Sequence, residues 1–235
     1  MIEIIGFDAD DTLWHNEILY HQAKVDLGQI LANYRKPQEV QAWLDQTEVT
    51  NIAYYGYGIK SFTLSMIETA THISEGRVTA KEINEIITIA KQMLAAPVDL
   101  VDGAEDTLIK LSSEYTLMLI TKGDQFEQER KIEASGIAHY FRYLEVVGEK
   151  SEASFSKIIG QYNLDPARFL MVGNSLRSDI LPVLKIGGQA VYIPNEQTWF
   201  HENASHEEIA QFEYAELERL IELPNYLVRS NKTGG

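Results

Sequence analysis

Residues 6–13 read GFDADDTL, and they overlap the end of a short apolar run, residues 2–7, that has the composition of a buried β-strand. Ligands of open α/β sheets bind at the carboxyl ends of the strands. Three carboxylates placed there repel one another unless a cation lies among them. Because side chains alternate along an extended segment, Asp8 and Asp10 are expected on the same side of the chain. One carboxylate could then attack a bound group while its neighbour handles a proton.

This acidic cluster also has two less specific interpretations. An Asp-rich turn often does no more than begin a helix, and Thr12 could serve as the cap. A calcium-binding loop of the EF-hand type is excluded, because Thr12 and Leu13 stand where that loop needs an acid or amide and a glycine.

Four more apolar runs resemble buried strands, at residues 115–120, 143–147, 169–172 and 190–193. Their apolar residues are largely continuous and do not alternate regularly with polar residues, which indicates burial on both faces, as in a parallel sheet. Helix-period patterns lie among them, at residues 104–112, 125–135, 154–162 and 178–185. This alternation predicts an α/β fold with a doubly wound parallel sheet.

Residues 16–96 break the alternation, since they show helical patterns at 18–34, 37–45, 59–71 and 80–94 and no convincing strand. We predict a second, smaller all-helical domain at 16–96, inserted into a discontinuous α/β core of residues 1–15 and 97–235. Pro97 marks the return to the core, because proline disfavours helix in the residue before it. Near the C-terminus, residues 214–223 are predicted to be helical and residues 230–235 to be disordered.

The net charge of −15 over 235 residues limits the partners. A surface this acidic repels nucleic acid and anionic lipid, so we expect neither a nucleic-acid partner nor a membrane partner. The absence of cysteine excludes disulfides, thiolate zinc sites and thiol catalysis. No secretory signal and no apolar run of membrane-spanning length are visible, so a cytoplasmic protein is expected. The expected assembly is a monomer or a homodimer.

A second motif, TKGD at residues 121–124, follows a predicted strand and opens a helix. The hydroxyl of Thr121 and the N–H groups beside it, at Lys122 and Gly123, form a candidate anion site, because a helix N-terminus presents unpaired donors. The alternative is a threonine before an ordinary glycine turn.

Two further motifs also follow predicted strands. Lys150 could neutralise a carboxylate and a phosphate together, although most lysines are simply solvated and Lys157 is close enough in sequence to compete for this role. Residues 171–180 read MVGNSLRSDI, in which Asp179 could reach a hard cation such as Mg²⁺. The alternative for Asp179 is an acid favoured by the helix dipole.

The order of the four motifs resembles that of the haloacid dehalogenase-like hydrolase superfamily over about residues 2–193. The resemblance implies a Rossmann-like core with a helical cap inserted after the first motif. It also implies that Asp8 is the nucleophile that becomes an aspartyl phosphate and that Asp10 is its acid/base partner. Members that cleave carbon–halogen bonds lack the second aspartate, so Asp10 favours phosphoryl transfer.

The resemblance implies a phosphate site at the second and third motifs. Thr121, Lys122 and Gly123 would bind the phosphoryl oxygens, and Lys150 would stabilise the charged nucleophile. Thr121 and Lys150 are therefore also candidate catalytic residues. The lysine motif lacks the proline that often follows it, which leaves Lys157 as the alternative to Lys150.

The resemblance implies a Mg²⁺ site formed by Asp8, the backbone carbonyl of Asp10, and Asp179. Asn174 is a further candidate ligand, at a position where the family often has aspartate. An amide oxygen can bind a cation or orient water, but it contributes no charge.

The sequence favours a Mg²⁺-dependent phosphatase acting on a small phosphorylated metabolite, and it does not identify that metabolite. Candidate substrate contacts are Trp14, His15, Tyr57 and Lys60. A phosphotransferase or mutase of the same family would carry the same first motif. A non-catalytic phosphate-binding module is a third hypothesis, but such a module would not need Asp10 in addition to Asp8.

Overall fold

The structure is a computed structural model, and it describes residues 2–195, 198–202 and 204–233. The chain divides into two compact units: Met1–His15 with Val98–Gly235, and Asn16–Pro97. We call them the core unit and the helical unit. The first boundary falls where the sequence placed it, and the second falls one residue later.

The helical unit is described throughout and contains four helices and no strand. The helices are α1 Glu17–Ile30, α2 Pro37–Tyr55, α3 Ile59–Ile73 and α4 Ala80–Ala95. Each contributes apolar side chains to one buried cluster, for example Leu27, Leu44, Met66 and Ile86. Helix α2 continues well past its predicted end at residue 45, and Gly56 follows it at a φ of 69°. With a ψ of −155°, this backbone conformation is one that glycine adopts readily because it has no Cβ.

Parallel strands form the centre of the core unit. They are β1 Ile4–Phe7, β2 Thr116–Lys122, β3 Tyr143–Val147, β4 Phe169–Gly173, β5 Gln189–Tyr192 and β6 Ala215–Glu216. Among the described residues they make one sheet in the order β3-β2-β1-β4-β5-β6. Because β1 lies between β2 and β4, its carboxyl end is at the point where the strand order reverses, which is where such sheets bind ligands.

Helices cover both faces of the sheet, as the predicted doubly wound α/β fold requires. The helices of the core unit are α5 Ala104–Ser112, α6 Gln125–Ala134, α7 Glu152–Gln161, α8 Leu181–Lys185, α9 His206–Ile209 and α10 Leu223–Thr233. Alternate strand residues face opposite sides. Ile5 and Leu119 therefore pack with α5, α6 and α10, whereas Met118 and Met171 pack with α7 and α8. The fold-class prediction is confirmed.

The prediction for the C-terminal part was wrong in two places. Residues 214–223 contain β6 and a 3₁₀ turn, Leu220–Glu222, where a helix was predicted. Residues up to Thr233, predicted to be disordered from 230, belong to α10, because Leu223 and Leu227 bury their side chains in the core. Gly234 and Gly235 lie outside the described residues. Within the described part of the chain, no helix has both the length and the apolar character needed to cross a membrane.

Candidate active site

The loop after β1 places Asp8 at the middle of the carboxyl edge of the sheet. The backbone N–H of Asp8 donates to the carbonyl of Val172 in β4 over 2.9 Å, which extends the strand pairing by one residue. The loop then turns back, with the N–H of Leu13 donating to the carbonyl of Ala9 over 2.8 Å. Thr12 Oγ1 donates to Asp8 Oδ2 over 3.0 Å. The carboxylate of Asp8, 6% exposed, is thus oriented by its own loop.

Lys150 follows β3 and reaches two acids at once. Its Nζ contacts Oδ1 of Asp8 and lies 2.6 Å from Oδ1 of Asp179. Lys157, the alternative in the sequence, lies on α7 and is exposed. Burial raises the pKa of Asp8 to about 7, while the Lys150 ammonium opposes this rise and the Asp179 carboxylate adds to it. Burial disfavours the ammonium of Lys150, but Asp179 and Asp8 hold its pKa above the ordinary value.

Asp179 is fixed in a π-helical turn, Leu176–Ile180, after β4. Its Oδ2 accepts from the backbone N–H of Ser175 over 3.0 Å, and the residue is 1% exposed. Gly173 permits this arrangement, because a Cβ at that position would lie 2.3 Å from Oδ2 of Asp179. The glycine at the end of β4 therefore has a direct steric role in placing the acid.

Asn174 joins the first and fourth motifs. In the orientation that satisfies its hydrogen bonds, the amide nitrogen donates over 3.2 Å to Oδ2 of Asp8, the backbone oxygen of Asp10 and Oγ1 of Thr12. Two of these oxygens belong to groups that the sequence names as Mg²⁺ ligands. The structure thus brings Asn174 together with Asp8 and the carbonyl of Asp10.

The carboxylate of Asp10 is held by three donors from two parts of the core unit. Trp14 Nε1 donates to Oδ1 over 2.6 Å, and Gln128 Nε2 donates to Oδ2 over 2.9 Å. Lys131 Nζ lies 2.5 Å from Oδ1 and 2.7 Å from Oδ2. Burial alone would raise the pKa of Asp10, but Lys131, Gln128 and Trp14 together hold it below its usual value.

Thr121 lies near the end of β2, beside β1. Its side chain is fully buried, and its Oγ1 has no hydrogen-bond partner among the described residues. Buried hydroxyls are normally paired, so this unpaired one, in the strand next to β1, suits a ligand oxygen. The next residues turn into α6, where Asp124 caps the helix by accepting from the N–H of Glu127 over 3.0 Å.

The side chain of Lys122 binds other residues of the protein and is not placed for the predicted phosphate contact. Its Nζ donates to Glu202 over 2.5 Å and to Ser178 Oγ over 3.0 Å. Glu202 also accepts from Ser175 Oγ over 2.6 Å. The backbone N–H of Gly123 donates to the carbonyl of Val147 over 3.1 Å. The predicted phosphate role of residues 122 and 123 therefore rests on the backbone N–H of Lys122.

The four candidate substrate contacts lie in different settings. Trp14 is 1% exposed, and its indole N–H donates to Asp10. Its predicted substrate contact has no support in this placement. His15 is exposed in the core unit. Tyr57 and Lys60 belong to the helical unit, at the turn between α2 and α3 and on the first turn of α3. For these three, substrate contact stays a prediction.

Sequence reasoning missed Gln128, Lys131 and Glu202. Gln128 and Lys131 are three residues apart on α6 and so share one face, a weak signal that the helix presents polar groups to something. Their partner Asp10 is more than a hundred residues earlier in the chain. No local pattern could identify that contact.

The oxygen atoms around Asp8 fit a Mg²⁺ ion. Within the ranges that the structure describes, no three His, Cys, Asp or Glu side chains are grouped to hold a metal by themselves. Two carboxylates with a backbone carbonyl remain, from Asp8, Asp179 and Asp10. These hard oxygens fit Mg²⁺, which binds few protein ligands and keeps several waters. Asp8 and Asp179 also share the single ammonium of Lys150, which leaves negative charge that a cation would neutralise.

Comparison with known proteins identifies the family. The model of the haloacid dehalogenase-like hydrolases matches residues 2–187. The chain belongs to the haloacid dehalogenase-like hydrolase family. A solved haloacid dehalogenase-like family hydrolase from Xanthomonas campestris is 37% identical with a TM-score of 0.86, and the match covers 97% of this chain and 91% of that one.

Two named relatives indicate the type of haloacid dehalogenase-like hydrolase. The human N-acylneuraminate-9-phosphatase is 24% identical over 213 residues, covering 86% of this chain and 84% of the relative. Pyrimidine 5'-nucleotidase YjjG of Escherichia coli is 26% identical over 192 residues, covering 78% and 82%. The chain is accordingly an enzyme, a hydrolase of the phosphatase type.

Proposed function

We propose that this hydrolase is a Mg²⁺-dependent phosphatase that acts on a small phosphorylated metabolite through an aspartyl phosphate on Asp8. The observation that carries the proposal is the contact of one buried ammonium, that of Lys150, with both Asp8 and Asp179 at the carboxyl edge of the sheet. The unpaired hydroxyl of Thr121, in the neighbouring strand, supports a phosphoryl group there.

The first half-reaction would transfer the phosphoryl group to the enzyme. A carboxylate oxygen of Asp8 forms a bond to phosphorus as the bond from phosphorus to the ester oxygen breaks. The ester oxygen takes a proton from Asp10 and leaves as an alcohol. For this step the carboxyl of Asp10 must first be protonated, although Lys131, Gln128 and Trp14 favour its ionised form. Lys150 stabilises the charge of the nucleophile and of the phosphoryl oxygens, and Thr121 donates to one of these oxygens.

The second half-reaction would release phosphate. Asp10, now a carboxylate, takes a proton from a water molecule as the water oxygen bonds to phosphorus. The bond from phosphorus to the Asp8 oxygen breaks, which frees inorganic phosphate and restores the Asp8 carboxylate. Asp10 is then protonated again and ready for the next ester.

The residues that would hold Mg²⁺ are Asp8, Asp179 and the backbone carbonyl of Asp10, with the amide of Asn174 next to two of these groups. When bound, the cation supplies positive charge that offsets the repulsion between the phosphate and the carboxylates. It also favours the ionised form of Asp8, which burial disfavours.

Small phosphorylated molecules are the substrate class that the relatives support, since one is named a nucleotidase and the other a phosphatase of an N-acylneuraminate. The helical unit would then provide the contacts that choose among such molecules. Tyr57 and Lys60 remain candidates for this selection.

The test is hydrolysis of p-nitrophenyl phosphate with Mg²⁺, with EDTA, and by the variant Asp8→Asn. We expect turnover that requires Mg²⁺ and is lost in Asp8→Asn, while circular dichroism shows an unchanged fold. Asp106→Asn, on the exposed side of α5, is the matched control and should retain the rate. Equal turnover by Asp8→Asn, or turnover unaffected by EDTA, would overturn the proposal.

A further inference from the structure

The contacts of Asp10 differ in kind from those of Asp8. Asp8 shares Lys150 with a second acid, Asp179. In contrast, both oxygens of Asp10 accept from Lys131, and each also accepts from one further donor, Oδ1 from Trp14 and Oδ2 from Gln128. We call the side chains of Trp14, Gln128 and Lys131 the Asp10 clamp. Each carboxylate oxygen has about two acceptor positions, so the four contacts occupy all of them.

The Asp10 clamp is built into the start of α6. Gln128 Nε2 donates to the backbone carbonyl of Lys122 over 2.9 Å as well as to Asp10. Gly123, at a φ of 146°, makes room for this side chain, because a Cβ there would lie 2.9 Å from Nε2 of Gln128. The end of β2 and the loop after β1 are thereby fixed to one another through a single amide.

The three members of the clamp restrict Asp10 in complementary ways. Trp14 and Gln128 each bond one oxygen, which sets the plane of the carboxylate. Lys131 bridges both oxygens, so its ammonium can release one of them to a water molecule or an ester oxygen while it keeps the other. The carboxylate could then act on a ligand without losing its orientation.

We infer that Gln128 and Lys131 are positioning residues that hold the Asp10 carboxylate in the orientation required to activate water against the aspartyl phosphate. This inference rests on the proposed function. An ion pair with only a structural role would stabilise the fold, and its loss would affect the rates of both half-reactions to the same extent. A positioning role would affect the step that uses Asp10 most.

The test is the steady-state and burst kinetics of Lys131→Met with p-nitrophenyl phosphate and Mg²⁺. The p-nitrophenolate group leaves without much help from an acid, so the first half-reaction should change little. Release of phosphate from Asp8 should slow by at least about ten-fold, the lower part of the range for losing acid/base help. We therefore expect kcat and KM to fall together, kcat/KM to hold, and a burst of p-nitrophenolate approaching one per enzyme to appear.

Three companion variants make the result specific. Lys131→Arg keeps a cation and should retain most of kcat. Gln128→Met should show the kinetic pattern expected of Lys131→Met, and it replaces Lys131→Met in the test if Lys131→Met folds poorly. Lys131→Met placed in an Asp10→Asn background should lower kcat no further, because both changes act on one step. Lys110→Met, on an exposed part of α5, should behave as the wild type.

Unchanged kcat in both Lys131→Met and Gln128→Met would overturn the inference. A fall in kcat with constant KM and no burst would also overturn it, since that pattern indicates general damage to the site. Failure of the proposed function looks different, because in that case Asp8→Asn would turn over the ester as fast as the wild type.

Discussion

The Nζ of Lys150 lies 2.6 Å from Oδ1 of Asp179, and the two side chains are 2% and 1% exposed. The same ammonium contacts Asp8, so one cation serves two acids whose side chains are 9% and 1% exposed. Removing one partner from a buried ion pair costs more than the pair itself contributes, because the charge left behind stays out of water. We therefore expect the stability of the core unit to depend on Lys150.

The first prediction concerns this lysine. Lys150→Met should destabilise the protein by about 3–5 kcal/mol in the absence of Mg²⁺ and abolish turnover of p-nitrophenyl phosphate. Urea denaturation and initial rates measure the two effects. Lys157→Met is the matched control and should stay within about 0.5 kcal/mol of the wild type. Loss of activity in Lys157→Met but not in Lys150→Met would reverse the assignment.

The second prediction separates the two functions of residue 10. Asp10→Asn keeps the backbone carbonyl, so calorimetric titration should still detect Mg²⁺ binding. Hydrolysis should slow by at least about 10²-fold, as is usual when a general acid/base is lost. An unaltered rate would assign proton transfer to another group.

The third prediction follows from the close approach of Gly173 to Asp179. In Gly173→Ala the new Cβ would lie 2.3 Å from Oδ2 of Asp179, so the acid must move. We expect weaker Mg²⁺ binding and a loss of activity of about 10²-fold, typical of a displacement of about 1 Å in a catalytic group. Gly160→Ala in α7, where a Cβ meets nothing within 4 Å, is the control. It should retain full activity and gain about 0.5–1 kcal/mol of stability; equal activity in both variants would contradict the prediction.

The fourth prediction is a dependence of stability on pH. Burial alone would raise the pKa of Glu202, but Lys122, Ser175 and Ser178 lower it from 4.5 to about 2. Because the folded pKa is the lower one, this contribution to stability is complete above pH 4.5 and is lost as the pH falls towards about 2. The difference corresponds to about 3 kcal/mol.

Urea denaturation of Glu202→Gln across this acidic range provides the measurement. The variant should be less stable than the wild type at neutral pH, and the difference should shrink as the pH falls. Glu133→Gln, on the exposed side of α6, is the control and should follow the wild-type curve. Parallel curves for wild type and Glu202→Gln would show that Glu202 is not held in its ionised form.

The fold could be predicted from the sequence where local pattern and tertiary environment agree. Helix α5 occupies the predicted residues because its buried positions, such as Leu108 and Leu111, recur at helical spacing. Strand β6 has two residues, Ala215 and Glu216, which is too short for any periodicity to appear. Helix α10 has few apolar residues and is held by Leu223 and Leu227 packing on the core, an interaction that its sequence does not show.

The candidate site divides in the same way. Asp8, Thr121 and Lys150 stand close to the end of a strand, so knowledge of the sheet is enough to bring them to one edge. Asp179 comes later, in the turn Leu176–Ile180 that follows β4. The role of Trp14 depends on the direction of its ring, and that of Lys131 depends on where α6 packs. The direction of the Trp14 ring and the packing of α6 are set by three-dimensional contacts, so the sequence alone could not predict these two roles.

The segments that lead out of the core unit and back into it lie side by side. The N–H of His15 donates to the carbonyl of Asp99, and the N–H of Val101 donates to the carbonyl of Leu13, each over 2.9 Å. For the core, the whole of Asn16–Pro97 is therefore a loop whose ends are already held together, and closing such a loop depends only weakly on its length. Exchange of Asn16–Pro97 for a segment of a different length should therefore leave the strands of the core unit, and the side chains at their carboxyl ends, in place.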